Sequence, residues 1–512
     1  MVAVATSEIQ RGAAAATAEQ DEGVCFRSVD GRVSSTAAGR GILSDAVRSI
    51  DAELAAGIEG ERDWRKRYVD WLPRVVSAGA RGREQELRIC RDGLDSVGRR
   101  FAFRRGDEER PVAQVVRERT GPELGTLTVE GAAAPVRELS VPFEGRDLRG
   151  DELRAALAGW VEHGLVEPSF AEAIGLVIDN PDWLDLSDRT VVLLGACAEM
   201  GPLEALCEWG AEVAAVDLPR QDLWERIEAT ARAGAGRVHA PVAPDGGRAA
   251  GADLLTEAGA VRAWLDTLDR PLVLANHLYA DGATGVRLTV AADALVADAM
   301  AEHDDAVLAY MATPTDVFAV PPDVVEGARG RRLPAATRAV RGSLRSLSLG
   351  RMYVPNYRET VTCDGDRELG VSDCLIAQQG PNYALAKRIQ LWRAELARSE
   401  GALVSANVAP ASRTRSVLKN RLLAAAYAGA PPFGVSSFPP AASRRLMAAM
   451  LMHDLRNPRC LAQPGHEPAH PMDLLAESAA HAGLWRLPYT LRSAMGAAVL
   501  IGLPRAGRLN GD

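Results

Sequence analysis

The stretch TVVLLGACAEMG, Thr190 to Gly201, runs from an unbroken apolar segment into a glycine-containing turn. PLEALCEW, Pro202 to Trp209, follows with helical spacing, and AEVAAVDL, Ala211 to Leu218, is a second apolar run that ends in an acid, Asp217. Strand, turn, helix, strand is the βαβ pattern of a parallel sheet, whose strands read as continuous apolar runs because both faces are covered. Comparable runs lie at RPLVLAN (Arg270 to Asn276), DAVLAYMAT (Asp305 to Thr313) and GALVSANVAP (Gly401 to Pro410). Helical segments separate them, at Val261 to Leu268, Val286 to Glu302 and Tyr383 to Glu400.

The expected fold class is therefore α/β, with a doubly wound parallel-sheet Rossmann domain over about 188–430, preceded by a mainly helical domain. That preceding region, 24–187, shows apolar residues at helical intervals, as in Ile42, Leu43, Ala46, Val47 and Ile50, and then Tyr68, Trp71, Leu72, Val75 and Val76. Leu127 to Glu130 and Pro135 to Pro142 alternate like strands and predict a small hairpin. Residues 1–23, rich in Ala, Thr, Gln and Glu, are expected to form a flexible tail. Pro321 to Gln379 is rich in Arg and Gly and reads as a long insertion, and 431–512 as a helical extension over the substrate cleft.

Composition narrows the function classes. The chain has 512 residues, with 68 Asp and Glu against 59 Lys and Arg, a net charge of −9. No dominant basic face is visible, which argues against a nucleic-acid partner. Seven cysteines without a CxxC pair suit a reducing compartment, and no run is long enough to span a bilayer, so a cytoplasmic protein without a membrane partner is expected. Lysine occurs only at 66, 387 and 419, so each lysine in this arginine-rich chain invites a question.

The turn containing Gly195 and Gly201 lies where backbone NH groups at a helix start approach a pyrophosphate. Asp217, 22 residues after Gly195, ends the second strand, where a carboxylate accepts ribose hydroxyls. These features are similar to two superfamilies, the short-chain dehydrogenases and the class I methyltransferases. Glu199 stands where the former carry a middle glycine, and a carboxylate there repels a pyrophosphate unless it is turned away or protonated.

Tyr383-Ala384-Leu385-Ala386-Lys387 separates the two. A Tyr and a Lys at i and i+4 share one helix face, so the ammonium favours the ionised phenol, whose ordinary pKa near 10 is otherwise poor for acid–base work at neutral pH. With Pro381-Asn382 before it, a helix to Glu400, and then a strand ending at Asn407-Val408-Ala409-Pro410 with Thr414 beyond, the segment resembles the short-chain dehydrogenase/reductase superfamily over about 188–420. The resemblance implies an NAD(P)-dependent oxidoreductase with Tyr383 as the proton-transferring residue and Lys387 as its ribose-holding partner. It also implies a cofactor site of Gly195, Gly201, Asp217, Asn276 and Lys387, and a homo-oligomer paired through the Tyr383 helix. Asp217 favours NAD(H) over NADP(H), while Arg220 leaves NADP(H) open. The family's serine has no direct match: Gly370 stands at its distance, with Ser372 two residues on, and a hydroxyl after the fifth strand points instead to Thr313 or Thr315, with Thr313 preferred.

The expected substrate is a small molecule bearing a carbonyl or alcohol. Alternatives are an S-adenosylmethionine-dependent methyltransferase, for which Gly195 and Asp217 suffice, and an inactive Rossmann-fold binding protein. His466-Glu467-Pro468-Ala469-His470 formally matches HExxH, but Pro464, Pro468 and Pro471 preclude the regular helix on which two imidazoles reach one metal, and no metal site is expected. Arg329-Gly330-Arg331-Arg332 reads as a solvated loop.

Overall fold

The computed structural model describes residues 22–28, 31–244, 249–330 and 335–504. Residues 1–21, on which most of the expected tail falls, and Arg331 and Arg332 lie outside the described residues. Arg329 belongs to a helix, Pro322–Gly330, rather than a loop, and its guanidinium donates to the Tyr357 carbonyl.

Before the main sheet the chain forms helices α1 (Ser35–Arg48), α2 (Trp64–Gly79) and α3 (Arg83–Arg100). A small antiparallel sheet joins β1 (Gly23–Phe26), β2 (Phe101–Arg105) and β3 (Glu108–Arg110). The expected hairpin is corrected here. β4 (Gly125–Glu130) does not pair with the segment after it; it adds antiparallel to the edge of the main sheet, where Thr126 faces Pro241. The hairpin is formed one step later, by β5 (Ser140–Phe143) and β6 (Arg146–Arg149). Alternation identified Leu127–Glu130 as a strand but carried no information about its partner.

The main sheet is built from β7 (Thr190–Leu194), β8 (Glu212–Val216), β9 (Arg237–Val242), β10 (Leu272–Asn276), β11 (Val307–Ala312) and, after a long excursion, β15 (Val404–Val408). The spatial order is β15-β11-β10-β7-β8-β9-β4. All neighbours except β4 and β9 run parallel, so the strands' C-terminal ends share one edge. In register, Val192 lies between Leu274 and Ala214. Every residue of β7 and β10 is buried, as expected of strands covered on both faces.

The helices connecting these strands are α4 (Leu203–Trp209), α5 (Gln221–Ala233), α6 (Leu254–Leu265), α7 (Gly282–Glu302) and α8 (Pro381–Ser399). α8 packs on α7, β11 and β15, and also on α1, α2 and α3 from the N-terminal region. Contacts within the same chain thus occupy the helix through which the resemblance implies pairing of two copies.

The excursion between β11 and β15 is a folded unit. β12 (Val317–Val320), β13 (Thr360–Cys363) and β14 (Arg367–Asp373) make an antiparallel sheet in the order β12-β14-β13. Its first strand begins before the expected boundary at 321. After β15 come α9 (Arg421–Ala428), α10 (Pro440–Arg456) and α11 (Leu491–Gly502). α9 and α11 pack closely, because a Cβ on Gly429 would sit 1.9 Å from the Ala498 carbonyl oxygen.

The C-terminal segment is latched to the N-terminal region by Glu167, which is 5% exposed. His481 Nε2 donates to Glu167 at 2.8 Å and the Arg486 guanidinium at 2.8 and 2.7 Å, while His481 Nδ1 accepts from the Gly483 amide. Burial raises the Glu167 pKa, but His481 and Arg486 outweigh it and hold the carboxyl below its ordinary value of 4.5. A carboxyl with a depressed folded pKa stabilises the fold above its unfolded pKa, and that contribution disappears as pH falls through the folded value. Glu167→Ala is therefore expected to cost about 3 kcal/mol at pH 7. In urea unfolding the gap between wild type and variant should shrink as pH drops below about 4.5; a gap independent of pH would contradict this role.

Candidate functional site

At the C-terminal edge of the parallel strands lies a cavity of about 630 Å³, bounded by Gly195, Glu199, Asp217, Asn276, Tyr383 and Lys387 among others. It opens into a second chamber of about 350 Å³ that shares Met311, Tyr383 and Lys387 and adds Thr313, Thr315, Gln379 and Ser412. Of the residues singled out from sequence, Gly195, Asp217, Asn276, Thr313, Tyr383 and Lys387 line these two spaces, and Gly201 lies in the turn beside them. Ser372 is the exception. It sits in β14 opposite Phe318, fully buried, 3.5 Å from Cys374 Sγ, and lines neither chamber. The sequence distance to the Tyr is consumed by the second sheet, so the loop after β11 takes the place beside Tyr383 instead.

The local sequence explains the placement of the Tyr and Lys. Gly380 at φ +80° turns the chain into α8, Pro381 occupies its first turn, and the four-residue spacing puts Tyr383 and Lys387 on one face. β11 ends at Ala312, so Thr313 emerges directly at the strand edge. Thr313 and Thr315 hydroxyls lie 3.0 Å apart, and Gln379 Nε2 donates to Thr315 at 2.7 Å. The expected lowering of the Tyr383 pKa by Lys387 is corrected here: burial pushes the phenol well above the usual tyrosine range, and hydrogen bonding from Thr313 acts in the opposite direction. Lys387 donates to the Met311 carbonyl at 3.2 Å and to Gln390 Oε1 at 3.0 Å. Burial lowers its pKa to about 8, against the pull of Asp316. Asp316 itself is 2% exposed and accepts from Arg388 at 3.3 Å.

At the other end of the cleft, Gly195 has φ +85°, and a Cβ there would lie 3.1 Å from the backbone of His277 and Leu278. Only glycine brings this turn so close to the loop after β10. Asp217 receives the amides of Cys197 at 2.8 Å and Leu218 at 2.9 Å, which tie the acid to the glycine turn. Glu199 is on the cavity wall, and its carboxylate accepts from the Arg415 amide at 3.0 Å, with the Arg415 guanidinium 3.7 Å off. Arg220 is paired to its neighbour Asp222 at 2.6 Å.

The fit of a nicotinamide dinucleotide can be judged from atoms left without partners. Asn276 Nδ2 and His277 Nδ1 are buried and have no hydrogen-bond partner among the described residues, and both residues line the cavity. Burial, with Lys387 nearby, lowers the His277 pKa to about 4, so it stands neutral there. Unpaired buried donors and acceptors are costly, and a polar ligand relieves that cost. A glycine turn, a second-strand acid and these two polar groups suit a dinucleotide.

Several wall residues carried no sequence signal. Gln379 precedes the Gly380-Pro381 helix start and could be sought there, but Tyr279 and Tyr427 read as ordinary helix or loop aromatics. Tyr279 packs edge-on to Tyr383 at 6.1 Å. The HExxH look-alike is not helical: Glu467 pairs with Arg83 at 2.6 Å, and the buried His470 is 3.3 Å from the Gly79 carbonyl. No protein-family model, curated protein or solved structure matches the chain.

Proposed function

We propose that this protein is an NAD(P)-dependent oxidoreductase acting on a carbonyl or alcohol of a small organic molecule, with Tyr383 as acid and base. The observation that carries this reading is the convergence of Thr313, Tyr383 and Lys387 on a chamber continuous with the Gly195–Asp217 cleft. The strand order supports it: counted along the chain, the six parallel strands lie 3-2-1-4-5-6, the order of doubly wound dinucleotide-binding domains. The cleft lies beyond the ends of β7 and β10, where the order reverses and such domains bind their ligands.

Gly195, Gly201, Asp217, Asn276 and Lys387 would hold the dinucleotide, which supplies or accepts the hydride when bound. Tyr383 gives its phenolic proton to the carbonyl oxygen as the carbon gains hydride, or takes that proton in the reverse direction. Thr313 holds the reacting oxygen beside the phenol, and Thr315 with Gln379 fixes the Thr313 rotamer. Lys387, when protonated, stabilises the tyrosinate left after proton transfer. The Asp217 carboxylate disfavours a 2′-phosphate, and with Arg220 engaged by Asp222 the reading favours NAD(H).

The test is consumption of NADH and NADPH by purified protein over a panel of ketones and aldehydes, followed at 340 nm. The expected result is oxidation with NADH preferred, and a preference that weakens in Asp217→Ala. Methyl transfer from S-adenosylmethionine without any nicotinamide oxidation would contradict it.

A further inference from the structure

Behind the polar chamber lies a third cavity, which shares with it Thr315, Ile376, Ala411, Leu423 and Tyr427. Its far walls are the inward sides of α9 and α11, together with Phe433 and Tyr489. Among the described residues, no charged side chain lines it. Tyr427 stands at the junction, lining both spaces, and burial pushes its phenol up to about 12. The pocket owes its space to small residues on the two helices, Ala426, Ala494 and Ala498, which the close packing at Gly429 keeps facing one another. The Arg341 guanidinium lies 5.0 Å over the ring of Tyr489, one of the wall residues.

We infer that this pocket receives an apolar arm of the substrate, so that the substrate class is a ketone or secondary alcohol bearing a short hydrocarbon group. This rests on the oxidoreductase reading for the polar end only. The three cavities form a path: the dinucleotide cleft leads to Tyr383 and Thr313, and Tyr383 leads past Tyr427 into walls that offer no charge to a second polar group. A sugar or a dicarboxylate would strand its hydroxyls or charge there without partners. The pocket is small, about 60 Å³ against about 350 Å³ for the polar chamber, which favours a short alkyl group over a long acyl chain.

The experiment measures binding of 2-alkanones of increasing chain length by calorimetry to wild type, Ala494→Trp and Ala426→Leu, with folding checked by thermal unfolding. The same ketones are then assayed with NADH. In wild type, Kd should fall roughly fourfold per added methylene until the pocket fills, the gain expected for burying one CH₂. Either substitution should flatten that gain and leave the shortest ketone's affinity within about twofold. A flat series in wild type, or a gain that survives in both folded variants, overturns the pocket assignment. The two readings fail separately. A chain-length gain without NADH oxidation leaves the pocket and removes the oxidoreductase; NADH oxidation with kcat/KM flat along the series does the reverse.

Discussion

Tyr383→Phe is expected to lower kcat for NADH-dependent carbonyl reduction by about 10³-fold, within the range of a lost general acid. NADH affinity should stay within about twofold, since the ring and its edge-on contact with Tyr279 remain. Burial holds the phenol protonated at neutral pH, which is the state needed to give a proton to a carbonyl oxygen. Alcohol oxidation needs the opposite state, so the variant comparison is best made in the reduction direction at pH 7. Stopped-flow decay of NADH under single-turnover conditions separates chemistry from product release. A variant that reduces ketones at the wild-type rate would remove Tyr383 from the chemistry.

Lys387→Met should raise stability while it removes activity. A partly buried lysine whose pKa falls from 10.5 to about 8 binds its proton less tightly when folded than when unfolded. Between those values the unfolded chain holds more protons, so stability rises with pH across that window and the lysine's ammonium costs stability below it. Replacing it with Met is expected to stabilise the fold by about 1–3 kcal/mol at pH 7, after allowance for the lost bonds to Met311 and Gln390. The rise of stability between pH 8 and 10 should disappear in the variant. Under the proposed role, NADH affinity and turnover fall together in the same protein. A group retained for function at a cost in stability gives this paired signature, whereas a structural lysine would lose stability on replacement. Chemical denaturation at pH 7 and 9.5, with NADH titration alongside, distinguishes the two.

Much of the sheet was legible because its strands are buried on both faces. Val191 to Leu194 and Leu272 to Ala275 read as apolar runs with no other use. β9 was not, since RVHAPV carries Arg, His and Pro, and it pairs with β4 at the polar edge of the sheet. The role of β4 was hidden for a related reason: a strand's pattern records which face is buried, not which strand it joins. The Tyr383 and Lys387 pair stood out through its spacing and the scarcity of lysine. Thr313 is the first hydroxyl beyond the fifth strand, a position legible from the end of the apolar run, and the chain places it beside Tyr383. Ser372 was misplaced because counting back from the Tyr assumes a short loop, and here an antiparallel sheet intervenes. The apolar pocket was invisible, since Leu423, Phe433 and Leu491 come from segments whose packing depends on contacts distant in sequence.

The most direct test of the account is calorimetric titration of NADH, NADPH and S-adenosylmethionine into the full chain and into Asp217→Ala. The account predicts NADH binding that is tighter than NADPH binding and that weakens roughly tenfold or more in Asp217→Ala, the loss of about 1.4 kcal/mol for a charge-assisted hydrogen bond to the ribose. Binding of S-adenosylmethionine alone, or NADH binding indifferent to Asp217, would contradict it.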